Sequence, residues 1–370
     1  MSYQSAQPLR ILQIVSGSAT SGAERQTLIL SRLLKEAGHH IEVICPPIEW
    51  MVNDLADAKI TTHQVDMRRG AGFPAIGQAL KIINRSRFDV VHAHLSRAAY
   101  MGFVAGTIRR VPLVCTVHVE TREPIYRYIA RRDNRIIAVS NFIRGVLRGR
   151  GVKDEFIDVV YNGTGFAEAL YERDLEVHQE FALPPSRRLI GLVGRVAPEK
   201  GHMIALEALP SVLEADSNAQ LLFVGRQQGD FPNELKRRAK QMNLSERVTF
   251  TGSREDVPRL FDAMEFSILP SVMESFGMAV VESMARGKPV VASRVGGLNE
   301  LVVHEHTGLL VEQTPEAFAD GMSFLLKNEE ACEEMGRNAQ LLIQEKFTIS
   351  RNVEQLEAVY QRAVDSARNR

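Results

Sequence analysis

Short, nearly continuous apolar runs alternate along this chain with longer stretches whose apolar residues recur every three or four positions. The first kind predicts buried strands and the second amphipathic helices. Residues 10–15 form the first run. Residues 23–37 then carry Leu28, Leu30, Leu33 and Leu34 at helical spacing before Gly38 stops the helix. Between them Ser16 to Gly22 is a loop of small residues. Further strands are predicted at 41–45, 60–65, 89–94, 112–118, 135–140 and 157–161, with helices at 76–83, after 94 and at 141–150. The pattern weakens from Thr164 to Arg187, where acidic residues and Pro184-Pro185 suggest a boundary. A second series follows, with strands at 189–194, 221–225, 248–252, 266–269, 289–292 and 308–311. Its helices are expected around 203–213 and 256–264, after Gly277 and after Gly297, and then at 315–327, 329–345 and 350–367. This alternation predicts an α/β chain of two doubly wound, Rossmann-like domains, 1–183 and 184–349.

Ligands of such sheets bind where the strands end. Glu274 falls in the loop after strand 266–269, and Glu282 stands about two turns into the next helix. Between them Gly277 lets the backbone approach a ligand, and the first-turn N–H groups attract anions or hydroxyl oxygens. The spacing suggests two acids holding a polyol; a capped helix with one solvated glutamate is the plainer alternative. Arg195 and Lys200 follow the glycine-ended strand 189–194 and could meet a diphosphate together, as a planar fork and a compact charge. His118 ends strand 112–118. His92-x-His94 has the spacing of a metal pair on one strand face, but no third nearby ligand accompanies it, so no metal is expected.

Composition narrows the class. The 370 residues are 45% hydrophobic and 24% charged, ordinary for a soluble protein with large cores. No apolar run is long enough for a membrane span. The first residues lack the regions of a signal peptide, and three dispersed cysteines argue against a disulfide framework, so a reducing cytoplasm is expected. The net charge of zero hides an asymmetry. Residues 1–150 hold 21 Lys and Arg against 11 Asp and Glu, and the remainder holds 24 against 34. A basic first half suits an anionic partner, such as a phosphate-bearing acceptor or an acidic membrane surface. Nucleic acid is not expected, because aromatic content is 6% and aromatic and basic residues do not interleave.

The ordered set of motifs resembles the retaining glycosyltransferases of the GT-B fold, family 4. It runs through Ser21-Gly22, His118, Ala138-Val-Ser140, Tyr161-Asn162-Gly163, Val193-Gly-Arg195 with Lys200-Gly201, Phe223-Val-Gly225, Phe250-Thr-Gly252 and Pro270-Ser271. The E-x7-E pair Glu274 and Glu282, 287–292, Gly296-Gly297 and 308–311 complete it. The resemblance implies two Rossmann-like domains facing across a cleft, with the helix near 350–370 crossing back to the first. It implies that the first domain takes the acceptor and the second a nucleotide-sugar donor. Glu282 would then hold the ribose. Glu274 would hold donor-sugar hydroxyls with the N–H groups of Phe276, Gly277 and Met278. Arg195 and Lys200 would neutralise the diphosphate, Gly22 would let the first loop approach the phosphates, and His118 would contact the donor sugar. Residues near Gly225, with Ser253 and Arg254, would line the base pocket. The first loop reads Thr-Ser-Gly-Ala-Glu24 where many relatives have two adjacent glycines.

The implied reaction moves a hexose-type sugar to a glycan, lipid-linked or phosphorylated acceptor, with retention and without a cofactor. The chain contains no D-x-D motif, which fits cations in place of a metal. Arg97 and Arg144 are candidate acceptor contacts on the basic half, which could also meet an anionic membrane surface. The alternatives are a GT-B epimerase or phosphorylase, for which no acid–base residues stand out, and a non-catalytic nucleotide-sugar binder.

Overall fold

The computed structural model of the chain describes residues 7–17, 22–67, 73–165 and 176–369. It divides into two units, Met1–Asn162 with Ser350–Arg370, and Gly163–Ile349. The first unit holds β1 (Arg10–Val15), β2 (His40–Cys45), β3 (Thr61–Gln64), β4 (Val90–His94), β5 (Leu113–Val117), β6 (Arg135–Ala138) and β7 (Ile157–Val159). They form one sheet in the order 3-2-1-4-5-6-7, and every pairing is parallel. β4 and β5 are buried along their whole length, as strands of a parallel sheet covered on both faces are.

The second unit holds β8 (Arg188–Val193), β9 (Ala219–Val224), β10 (Val248–Gly252), β11 (Met264–Leu269), β12 (Val290–Ser293) and β13 (Gly308–Val311). Its sheet is also parallel, ordered 10-9-8-11-12-13. On one face Leu206, Leu209, Phe318 and Met322 pack over Leu221 and Phe223. On the other, Val177, Leu260 and Phe261 pack over Leu189 and Leu222. Each sheet reverses its direction of growth once, between β1 and β4 and between β8 and β11.

Helices Glu49–Asp57, Ile125–Ile129 and Phe231–Gln241 escape the periodicity reading. Glu49–Asp57 buries only Met51 and Leu55, and Phe231–Gln241 only Pro232, Leu235 and Ala239. Both lie on the surface and expose too narrow an apolar stripe to register as a helical repeat. The division between the units, at Asn162/Gly163, falls well before the expected 183/184. Proline and acidic content suggest a boundary near 187, but helix Glu176–Glu180 already belongs to the second core, where Val177 is buried and Phe181 and Leu183 pack beside it.

Helix Ile349–Arg368 spans the end of the chain, and from Ser350 it groups with the first unit. Its buried Leu356, Val359, Tyr360, Ala363 and Val364 form the inner stripe. Polar ties fix its register. His39 Nδ1 accepts from the Leu9 N–H at 3.0 Å, so its Nε2–H donates to Glu357 Oε1 at 2.8 Å. Asn352 Nδ2 donates to the Tyr161 carbonyl at 2.5 Å, and Arg362 pairs with Asp158 at 2.8 Å. Among the described residues no helix is long and apolar enough to cross a membrane. Cys45, Cys115 and Cys332 are buried free thiols.

Candidate functional site

In the second unit the loops after β8 and β11 emerge side by side, because those strands are neighbours where the sheet reverses. Lys200 closes the short turn Pro198–Lys200, and Gly201 follows at φ 73°, where a side chain would run into the Pro270 carbonyl. The Val272 N–H donates to the Glu199 carbonyl at 2.9 Å, and Gln313 Nε2 donates to the Pro270 carbonyl at 3.2 Å. The two loops are thereby locked together, and Lys200 Nζ donates to Glu274 Oε2 at 2.5 Å. The pair is only 24% and 15% exposed, so its attraction is weakly screened. Arg195 is more open, at 53%, and gives one N–H to Glu199 Oε1 at 2.5 Å. A guanidinium carries five such donors. Its others meet no protein acceptor among the described residues.

The Glu274 loop is held from behind by two glycines. The Gly297 N–H donates to the Glu274 carbonyl at 2.8 Å. A Cβ on Gly296, at φ 50°, would collide with that carbonyl, and one on Gly297 would lie 2.9 Å from Phe276 Cα. Gly277 precedes helix Met278–Ala285 at φ 111°, and a Cβ there would lie 2.7 Å from Leu298 Cδ2. Gly277→Ala should therefore lower stability by roughly 1–3 kcal/mol through backbone strain, read as a lower thermal midpoint; an unchanged midpoint would refute this account of the turn. Phe276 buries its ring against Phe347, 6.0 Å away, which leaves only its main chain to serve a ligand. Met278 and Glu282 are half-buried on the helix. Beyond its end, the Arg286 guanidinium makes a two-point contact with Asp262, at 2.8 and 2.7 Å, and both side chains are nearly inaccessible.

Beside this loop three adjacent strands end in glycine. Gly194, Gly225 and Gly252 adopt φ values of 151°, 150° and 76°. The Gly194 N–H donates to the Val224 carbonyl at 2.8 Å, and the Gly225 N–H to the Gly252 carbonyl at 2.9 Å. A side chain on Gly225 would strike the Gly194 carbonyl. The result is a shelf of bare main chain. Ser253 stands exposed at its edge. Arg254 is placed there too, but its guanidinium is engaged by Asp256 at 2.7 Å and Glu180 at 2.5 Å, with Arg259 bound to the same two acids. The hydrogen bonds from Arg254 hold the Asp256 carboxyl down to about 2. Arg254 therefore braces the loop through its own acids, a partnership set by Glu180, which lies far away in sequence.

In the first unit, Gly22 heads helix Gly22–Glu36, while the Ser21 half of that motif lies outside the described residues, as do Arg68 and Arg69. Glu24 is buried in the first turn and lies across Gly17. Its signal in the sequence was an acid at a helix start. Ser140 caps helix Asn141–Gly149 by accepting from the Ile143 N–H at 3.1 Å, which gives the Ala138-Val-Ser140 motif a structural role. On that helix Arg144 makes two hydrogen bonds to Asp154, at 2.7 and 2.5 Å, so much of its charge is matched locally. Arg97 is exposed in the first turn of helix Ser96–Arg109, just beyond the end of β4.

His118 stands half-buried one residue beyond β5, and burial lowers its pKa to about 4. Its Nε2 lies 3.0 Å from His94 Nδ1. The two strand histidines are engaged at both ring nitrogens. His94 Nε2 meets Gln13 Oε1 at 2.7 Å, and His92 meets Tyr360 Oη at 2.6 Å and Thr116 Oγ1 at 2.7 Å. The i, i+2 spacing that resembles a metal pair thus builds a hydrogen-bonded row. The sequence could not name Tyr360 as a partner, since it lies on the last helix.

Two family models match this chain, Glycosyl transferases group 1 over residues 174–342 and Glycosyltransferase Family 4 over 20–165. The chain is 24% identical to the UDP-Gal:alpha-D-GlcNAc-diphosphoundecaprenol alpha-1,3-galactosyltransferase of Escherichia coli, a match that covers 92% of this chain and 93% of the relative. It is 26% identical to the N-acetyl-alpha-D-glucosaminyl L-malate synthase of Bacillus anthracis, over 94% of each. Among solved structures, Anabaena Alr3699/HepE in complex with UDP superposes with a TM-score of 0.84 at 23% identity, over 94% of this chain and 98% of that one.

Proposed function

Because this chain belongs to glycosyltransferase family 4 and folds as a GT-B enzyme, we propose that it moves a hexose-type sugar, with retention of configuration, from a nucleotide-diphosphate sugar to a glycan, lipid-linked or phosphorylated acceptor. Synthesis of a cell-envelope polysaccharide or lipopolysaccharide is the setting such acceptors suit. The observation that carries the reading is the Lys200–Glu274 pair at the strand reversal, with Arg195 and the start of helix Met278–Ala285 beside it.

Breaking the bond between the sugar and the diphosphate builds positive charge on the sugar and negative charge on the leaving group. Arg195, Lys200 and the first-turn N–H groups meet the negative charge. Glu274, oriented by Lys200 from the side and by Gly297 from behind, holds sugar hydroxyls, and Glu282 holds the ribose. The bare shelf at Gly194, Gly225 and Gly252 admits the base, with Ser253 at its edge. His118 contacts the sugar, and Gly22 lets the first loop reach the phosphates. The acceptor attacks on the face the diphosphate leaves, and a diphosphate oxygen takes the acceptor's proton, so the protein supplies positioning and charge. These groups do that work with no metal or cofactor required. The basic first unit meets the acceptor, with Arg97 and Arg144 as the candidate contacts. It also suits a peripheral position on an anionic inner membrane surface.

The names of two of the similar proteins carry UDP, which makes uridine the first base to test. Thermal shift against UDP-, GDP- and ADP-sugars should select a UDP-sugar. A ligand at 100 times its Kd adds about 2.7 kcal/mol of stability. If none of the three raises the midpoint, the donor reading fails.

A further inference from the structure

The hydrogen bonds that begin at His118 run on through the sheet to the last helix. From His118 Nε2 the row passes to His94 Nδ1 at 3.0 Å, from His94 Nε2 to Gln13 Oε1 at 2.7 Å, and from Gln13 Nε2 to Tyr360 Oη at 3.3 Å. It ends at His92, whose Nδ1 lies 2.6 Å from Tyr360 Oη and whose Nε2 lies 2.7 Å from Thr116 Oγ1. Gln13, His92, His94 and Tyr360 are all at or below 1% exposure, so water does not compete for these bonds.

The row has a direction. Gln13 Oε1 can only accept, so His94 carries its proton on Nε2 and its Nδ1 is a lone pair. That lone pair accepts from His118, which must then be protonated on Nε2. At the far end Gln13 Nε2 donates to Tyr360 Oη, and the hydroxyl donates onward to His92 Nδ1. His92 Nε2–H donates to Thr116. Burial keeps His92, His94 and His118 neutral at pH 7 and leaves Tyr360 protonated, so each ring has one donor and one acceptor. Which ring nitrogen bears the proton is set by the partner of the other. His118 Nδ1 meets no protein partner among the described residues.

We propose that Gln13, His94 and Tyr360 are positioning residues for His118. They hold its ring in the Nε2–H form, so that it offers Nδ1 to a ligand as a hydrogen-bond acceptor, and they join that choice to the docking of the C-terminal helix. The ligand group it suits is a hydroxyl that donates, such as one on a sugar. The consequence for transfer rests on the function proposed above; the ring's proton position does not.

Protein labelled with 15N in the histidine rings tests this directly, with His118 assigned by its loss in His118→Gln. The expected spectrum has one His118 form, with Nε2 protonated and Nδ1 bare. Gln13→Leu removes the acceptor of His94 and should give a second His118 form together with an about tenfold loss in kcat at little-changed donor KM. Gln13→Glu, held protonated by burial, keeps an acceptor for His94 and a donor for Tyr360 and should restore both. A wild-type His118 protonated on Nδ1 overturns the proposal. So does a Gln13→Leu protein with a lowered thermal midpoint but unchanged ring spectrum and kcat, since Gln13 would then only stabilise. If Gln13→Leu does not fold, the wild-type spectrum decides. If the ring form is as expected yet His118→Gln transfers sugar normally, the role of His118 fails and the positioning row stands.

Discussion

A Lys200→Ala protein is expected to lose roughly 10²- to 10³-fold in kcat, the size found when one preorganised group is removed from developing negative charge. The loss should fall on kcat more than on donor KM, because the diphosphate gains charge as the sugar departs. The 2.5 Å bond to Glu274 offers a rival cause, a lysine that serves only to aim that carboxylate. A double-mutant cycle separates the two. If aiming were the whole role, Glu274→Gln would cost as much as Lys200→Ala, and the double variant would cost no more than either. If Lys200 also meets the leaving group, the double variant should be slower than both singles. Equal turnover of Lys200→Ala and wild type under saturating donor would remove lysine from the mechanism altogether.

Arg286→Ala should cost the second unit about 3–5 kcal/mol. Truncation leaves the Asp262 carboxylate buried at 7% exposure without the guanidinium that now contacts both its oxygens. An exposed pair such as Arg337–Glu333, at 63% and 65%, should by contrast change stability by at most about 1 kcal/mol when broken. The measurement is urea unfolding followed by probes in each unit, because a two-unit chain need not unfold in one step. The transition of the second unit should move to lower urea. Replacing both partners with apolar residues of similar volume should recover much of the loss, since a buried pair offsets little more than its own desolvation. A double variant as unstable as Arg286→Ala would mean that the two-point contact itself, rather than the unpaired charge, dominates.

Much of this arrangement was legible before any coordinates. Parallel strands buried on both faces announce themselves as apolar runs, and the glycines that close them mark the ligand edge. Placing Glu274 after a strand and Lys200 after another needs nothing more. That the two loops touch is a matter of strand order, and the pattern along the chain is silent about order. The 2.5 Å bond between them therefore belongs to topology. Arg254 illustrates the other limit. From sequence it is a cation near a base pocket; in the fold Glu180 and Asp256 hold it. The His92–His94 pair was read correctly for its face and could not be read for its partners, because Tyr360 reaches it from the last helix. Helix Phe231–Gln241 was missed for a simpler reason, since it shows the core only three side chains.

The chain's path has a consequence for how the protein is made. The segments that enter and leave the second unit run side by side: Thr164 donates to the Phe347 carbonyl at 3.0 Å, and Ile349 donates to the Thr164 carbonyl at 3.2 Å. A Cβ on Gly163 would lie 2.7 Å from Ile349 Cα, so the two strands of this neck cannot be moved apart by a side chain without cost. The helix that completes the first unit follows this neck in sequence. On the ribosome the unit begun first is therefore finished last. Until Tyr360 arrives, Gln13 and His92 lack their shared partner, and the apolar surface that Leu356 and Val359 will cover stays open. A nascent chain halted near residue 349 should hold a folded second unit beside a first unit that still attracts chaperones.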